Sequence, residues 1–205
     1  MISDEYIEIE FLYNINHLKN LENIFVYGLL SRNELKKSNF LNNKDISNAS
    51  VQNRRANKRI DREGHTLHDF ANLYFDARNP MMYYEICNVD INCLCVICVD
   101  KKVLDLKNTL VTDSNASKDM AMIMSPEEGV ELINFDKVKM RYWNHEDSSI
   151  KAENMGIKCA EVLVFNNIPK KYFKRIKVCT DIAKKKVESL DLGIKVEIDK
   201  DIFFK

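Results

Sequence analysis

The chain has 205 residues, 31 basic side chains balanced by 31 acidic ones, 45% hydrophobic residues, five glycines and three prolines. That mix is an ordinary globular one, long enough to bury a core without staples, and it excludes collagen-like, coiled-coil and disordered chains. No run of about 18 apolar residues offers a membrane helix, and the acidic opening MISDEYIEIE lacks the basic-then-apolar order of a secretion signal, so a cytoplasmic protein that does not engage a membrane is expected.

Periodicity predicts the elements in chain order. YIEIEFLYNI (6–15) alternates apolar and polar residues and reads as a first strand. A helix follows, with Leu18, Leu21, Ile24 and Phe25 at helical spacing, Asn16 placed to cap it and Gly28 to stop it. Residues 31–66 then turn polar and asparagine-rich. So long an insert within a compact domain is functional or disordered. From Arg54 to Arg62 it holds five basic residues against one acid, which fits either a solvated face or a patch for phosphates or nucleic acid. LHDFANLYFDARNPMMYYEI (67–86) is the densest aromatic stretch, broken at Pro80. INCLCVICVD (91–100) reads as a buried strand, TLVTDSNAS (109–117) as a strand entering a turn, and Pro126–Ile133 as a helix. Residues 135–158 read as a long polar segment around the only tryptophan, Trp143. CAEVLVF (159–165) and YFKRIKVC (172–179) predict strands, TDIAKKKVESLDL (180–192) a helix capped by Thr180 or Asp181, and IKVEI (194–198) a last strand. The sum is an α+β chain on a mixed or mainly antiparallel sheet, without βαβ winding and without repeats, expected to form one domain over 1–205.

The six cysteines sit in apolar stretches. Cys93 and Cys95 are expected on one strand face and Cys98 on the other. The Cys95–Cys98 spacing lacks the turn residues and second pair of a zinc site, so buried free thiols are expected. His17, His65, His68 and His145 follow no ligand pattern, and no metal site is expected. Neither a dinucleotide-binding glycine fingerprint, a P-loop nor a nucleophile elbow is present. Glu161 stands out. Alternation puts Cys159, Glu161, Leu163 and Phe165 on one face of a strand that is otherwise apolar on both sides. An unpaired buried carboxylate is expensive, so Glu161 needs a structural partner, a sheet edge or a cleft.

NINHLKNLENIFVYGLLSRN, DISNASVQNRRANKRI, LHDFANLYFDARNPMMYY, TDSNAS, KMRYWN and CAEVLVFNNIP occur in one order from about residue 12 to 172. In that order they resemble the DarT family of DNA ADP-ribosyltransferases, toxins of bacterial toxin–antitoxin pairs. The resemblance implies the ADP-ribosyltransferase fold, a split mixed or antiparallel sheet with short helices and a central NAD+ cleft. It implies transfer of ADP-ribose from NAD+ to a base of single-stranded DNA, thymidine favoured and guanosine the other branch, with a macrodomain antitoxin as partner. By this resemblance Glu161 is the catalytic glutamate and Arg54 the arginine at the junction of NAD+ and target base, with Arg55 the neighbouring alternative. His17, Leu18, Gly28, Leu29, Tyr74 and Met81 fall on the NAD+-contacting pieces, although core packing is an equal reading of Tyr74 and Met81. Residues 39–57 correspond to the element covering NAD+, and 114–160 to a substrate-recognition loop. Arg55, Arg59, Arg141, Tyr142 and Trp143 are candidate DNA contacts, the last three as a stack or clamp on an unstacked base.

Two departures stand out. Asn16 occupies the place of a usual Thr, and Ser114 that of a usual Gly, which a turn with positive φ would favour. The readings that compete with DNA ADP-ribosylation are the same fold acting on RNA or protein, and a non-catalytic nucleotide-binding module. Zero net charge argues mildly against tight DNA binding, but a local basic groove suffices for a short single strand.

Overall fold

A computed structural model describes residues 1–38, 43–61 and 63–205. The chain opens with one helical turn, α1 (Ile2–Glu5), so the first strand begins later than alternation suggests: β1 spans Phe11–His17. Tyr6 and Ile9 are buried from a turn instead, with the Tyr6 hydroxyl donating to the Pro126 carbonyl at 2.7 Å. A 3-10 turn (Leu18–Asn20) leads into α2 (Leu21–Tyr27). Asn16 does not cap it. The His17 Nδ1 accepts from the Lys19 N–H, while Asn16 Oδ1 takes the His17 N–H and the Asn20 amide. Gly28 ends α2 at φ +87°, and a Cβ there would lie 2.6 Å from the Ile168 carbonyl oxygen, so only glycine fits.

The polar insert is not structureless. After β2 (Leu29–Leu30) it begins with α3 (Arg32–Lys37) and later forms α4 (Ala49–Asn57), whose Asn48 side chain caps the Ser50 and Val51 N–H groups. Part of the segment expected to cover NAD+, residues 39–42, lies outside the described residues. Then come β3 (Phe70–Tyr74) and α5 (Pro80–Asn88). Pro80 opens this helix rather than breaking one, since its missing N–H costs nothing at the first position, and Asn79 caps Met82. β4 (Leu94–Asp100) is buried at all but its last residue. Cys93 precedes it in a 3-10 turn and so does not share a strand face with Cys95. Burial pushes the Cys98 thiol up to about 12 and Cys95 higher still.

After β5 (Thr109–Thr112) the chain forms β6 (Ile123–Met124), α6 (Pro126–Leu132), α7 (Phe135–Lys139) and α8 (Ser148–Ile157). The region 114–160 thus carries three helices and is not one loop. Of its helices α6 matches the expected Pro126–Ile133 helix, whereas α7 and α8 carry no apolar periodicity because they bury so little: only Val138 in α7 and Gly156 in α8. The remaining elements are β7 (Glu161–Phe165), β8 (Asn167–Ile168), β9 (Phe173–Val178), α9 (Asp181–Glu188, capped by Thr180) and β10 (Lys195–Ile198).

Eight strands form one sheet in the order β10-β9-β4-β1-β3-β7-β5-β6, while β2 and β8 make a separate pair. Every neighbour is antiparallel except β9 with β10. β1 pairs with β4 along all seven residues and β3 with β7 along all five. Between β1 and β3 there is a single pair, Tyr13 with Tyr74. The sheet is therefore split in its middle, while both halves pack on one common core, to which Leu12, Ile97 and Val99 come from one half and Leu73, Val162 and Val164 from the other. Each such fully buried aliphatic side chain contributes roughly 1.5–3 kcal/mol.

Glu85 on α5 is fully buried, and among the described residues neither of its carboxylate oxygens has a hydrogen-bond partner. Burial, reinforced by the Asp45 carboxylate, pushes its acid up from 4.5 to about 7. The folded state binds the proton more tightly than the unfolded one, so stability falls as pH rises from about 4.5 to 7 and stays lower above. Glu85→Gln should remove that slope and stabilise the protein on the order of 3 kcal/mol above pH 7, as denaturant melts at pH 5 and pH 8 would read.

Candidate active site

The site is built on the first residue of β7. The Glu161 N–H donates to Thr112 Oγ1 on β5 at 3.0 Å, and that hydroxyl donates to the Ser114 carbonyl at 2.6 Å. The turn after β5 is thereby tied to β7, and its Ala116 N–H donates to Glu161 Oε1 at 3.0 Å. Ser114 is not among the described non-glycine residues with positive φ, so the turn forms without the glycine expected there. Its hydroxyl donates to Asp113 Oδ1.

Arg55 completes the arrangement. From α4 its Nη1 reaches Glu161 Oε1 at 3.1 Å and Oε2 at 2.9 Å, with both side chains almost wholly buried (7% and 1% exposed). Gln52 lies one helical turn back on the same face of α4, and its Oε1 meets His68 Nε2 at 3.0 Å. Burial, with help from Arg32, Lys36 and Arg55, lowers His68 to about 4. The ring is thus neutral at pH 7, and its Nε2–H is the donor. Arg54, about 100° round the helix, is exposed. The arginine on the glutamate is therefore Arg55, the neighbouring alternative, while Arg54 is not among the described residues that line the cavity: the helix phase decides which of the two points inward.

A cavity of about 630 Å³ opens at the split in the sheet. One wall is Asn14, Ile15 and Asn16 of β1, and the opposite wall is Phe70, Ala71, Asn72 and Tyr74 of β3, with Arg55 and Glu161 also lining it. The Asn14 amide donates across the gap to the Asn72 carbonyl at 3.2 Å. Residues 43–48 line a further side. They are held there by Asn20, whose side-chain amide pairs with both backbone groups of Lys44 (2.7 and 2.9 Å), and by Arg32 on Asp45 at 2.7 Å. Arg32, Lys36, Lys44 and Arg55 line the cavity against Asp45 and Glu161, which makes it cationic. Burial and the Glu161 carboxylate push the Tyr74 phenol well above its ordinary value, so it stays a hydrogen-bonding hydroxyl. Behind the site, fully buried Lys158 pairs with Asp76 and links the approach to β7 with the turn into α5. Burial, the Glu161 charge next, pushes the Cys159 thiol up to about 12.

Of the other residues singled out in the sequence, Gly28, Leu29, Tyr74 and Met81 line the cavity. His17 and Leu18 do not. His17 is buried as a turn cap and Leu18 packs in the core, while their neighbours Asn16 and Asn20 face the cavity. Arg59 is exposed and outside it, in a bridge to Thr66. Arg141, Tyr142 and Trp143 also lie outside, around Asp201, Tyr83 and Phe204. Asn14, Asn72, Asn115, Gln52 and His68 were not anticipated. Among the described residues, Asp61, Glu63 and His65 bring potential metal-ligand atoms within 4.8 Å of one another, but none of them lines the cavity.

Residues 13–204 match the family model described as "ssDNA thymidine ADP-ribosyltransferase, DarT", and the chain belongs to the DarT family of ADP-ribosyltransferases. A curated relative from Thermosipho africanus (strain H17ap60334), a DNA ADP-ribosyl transferase–DNA ADP-ribosyl glycohydrolase fusion protein, is 32% identical over 155 residues. The match covers 73% of this chain and 39% of that protein, so the chain spans well under half the length of this relative. The structure of Thermosipho africanus DarTG in complex with ADP-ribose superposes with a TM-score of 0.83 at 28% identity, over 95% of this chain and 51% of that one. Thermus sp. 2.9 DarT in complex with ADP-ribosylated ssDNA gives 0.79 at 21% identity over 96% and 97%, a likeness of fold.

Removing one partner of a buried ion pair strands the other. Arg55→Met should cost about 3–5 kcal/mol of unfolding free energy, and adding Glu161→Gln should recover most of it; a double-mutant cycle by denaturant unfolding gives the coupling.

Proposed function

We propose that this chain transfers ADP-ribose from NAD+ to a base of single-stranded DNA, thymidine being the base, and that residues 1–205 act as one catalytic domain. The observation that carries the reading is the buried Arg55–Glu161 pair in a cationic cavity at the split of the sheet. NAD+ suits that cavity as a substrate. Arg32, Lys36 and Lys44 match a diphosphate, while the asparagine-rich strand walls and Tyr74 offer neutral donors and acceptors for ribose and nicotinamide groups.

The chemistry needs a carboxylate that cannot move. As the bond from ribose to nicotinamide breaks, its electron pair leaves on the nicotinamide nitrogen and the ribose carbon becomes cation-like. Glu161, fixed by Arg55, the Ala116 N–H and the strand, stabilises that charge and can accept a ribose hydroxyl bond without reorganising. A base nitrogen attacks the ribose carbon and its proton departs. A guanidinium is a poor base, so the part of Arg55 is to hold the glutamate and favour the developing negative charge on the base. His68, held near 4 by burial and paired through Nε2 with Gln52, is too weak a base to take that proton, which leaves to solvent water. The fusion of transferase and glycohydrolase in the Thermosipho relative supports a toxin restrained by a partner, of macrodomain type, that removes the ADP-ribose.

Incubation with NAD+ and oligonucleotides differing in one base should give a mass gain of one ADP-ribose on thymine-containing single strands. Glu161→Gln should lower the adduct yield at least about a hundredfold. Arg54→Ala should keep at least about half of it, because that side chain is outside the cavity. Adducts confined to RNA or protein, or undiminished by Glu161→Gln, would overturn the reading.

A further inference from the structure

The three sequence positions Arg141, Tyr142 and Trp143 leave the target-base cavity and join a different surface. Tyr83, on the outer side of α5, meets Trp143 edge-on at 6.1 Å and Phe204 at 5.4 Å, and Trp143 meets Phe204 at 5.7 Å. The Arg78 guanidinium lies 4.0 Å over the Phe204 ring, and Arg141 lies 5.8 Å from the Tyr142 ring. Both arginines are braced by Asp201, Arg78 through the carbonyl and Arg141 through Oδ1 at 2.8 Å. The braced aromatics nonetheless stay open: Tyr83 is 52% exposed and Tyr142 68%.

We propose that this aromatic and cationic shelf is a stacking platform for the nucleotides flanking the target base, so that a single strand leaves the cavity across α5. The proposal rests on the reading of the cavity as a DNA ADP-ribosylation site. Two observations favour a nucleic acid over an apolar protein surface. The shelf adjoins the cavity through α5, which supplies Pro80, Met81 and Tyr84 to the cavity wall and Tyr83 to the shelf, both tyrosines being exposed. It is also net positive, with two guanidiniums sharing one Asp201 carboxylate, which suits a phosphate backbone. Edge-to-face packing holds the Tyr83 ring in place beforehand, so stacking a base on it orders little. Stacking of this kind tolerates any base, so the shelf would add affinity and reach without adding to sequence choice at the target position.

The tryptophan of the shelf is the only one in the chain, so its fluorescence reports the shelf directly. Without NAD+, a 12-nucleotide single strand should quench Trp143, and a 4-nucleotide strand holding only the target and its neighbours should quench it far less. In turnover, Tyr83→Ala should raise KM for the 12-mer about tenfold, within the range for one lost base–aromatic stack, with kcat and KM for NAD+ unchanged. Tyr83→Phe, which keeps the ring, should restore the wild-type KM. Transfer intact with no quenching by the 12-mer, or with its KM unmoved by Tyr83→Ala, would sink the shelf and leave a protein partner as its occupant. Quenching without any transfer would leave the shelf standing and sink the reading of the cavity.

Discussion

One buried ion pair organises this molecule. Glu161 sits at the start of β7, where the surrounding strand positions are apolar, and it is almost wholly buried at the edge of the cavity. A carboxylate in that place has to be matched by a cation with fixed hydrogen-bond geometry, and Arg55 supplies it from a helix 106 residues away in sequence. This explains why a polar insert of low apolar content nevertheless folds. The helix α4 buries Arg55 alone, so the ion pair, with Gln52 on His68, does for it what an apolar face does for an ordinary helix. The same pair places a rigid charge on the wall of the cavity, which is the arrangement electrostatic catalysis requires.

The second constraint is the split sheet. A continuous ladder between β1 and β3 would close the cavity. One pair, Tyr13 with Tyr74, keeps the halves in register while the rest of the two strands diverge. Asparagine is the recurring side chain along the gap: Asn14 and Asn16 on β1, Asn72 on β3, Asn115 on the turn after β5. Asparagine is a poor strand former, but it can donate and accept without charge, and that serves a ligand more than it serves the sheet. Local preference is set aside here because the site needs it.

What could be read in the sequence follows from how much each segment buries. The strand β4, apolar on both faces, and the helix α9, with Thr180 before it, were legible from pattern alone. So was the anomaly of Glu161. The helices α7 and α8 were not, because they bury one residue each, and their polar remainder is indistinguishable from a loop. The start of β1 was placed too early because Tyr6 and Ile9 are core residues held by a turn, not by strand alternation. For the site, residue type carried further than position. An arginine of the Arg54–Arg55 pair was expected, but which one faces inward depends on the phase of a nine-residue helix with no apolar stripe to set it. The cleft asparagines gave no signal, since asparagine is abundant throughout residues 14–57.

The central claim is that Glu161 acts on the bond to nicotinamide and not on the affinity for NAD+. Calorimetry of NAD+ binding, paired with nicotinamide release, on wild type and Glu161→Gln separates the two most directly. The account predicts that Glu161→Gln binds NAD+ within a few-fold of wild type and releases almost no nicotinamide. Release at the wild-type rate, or loss of binding in a variant that still folds, would contradict it.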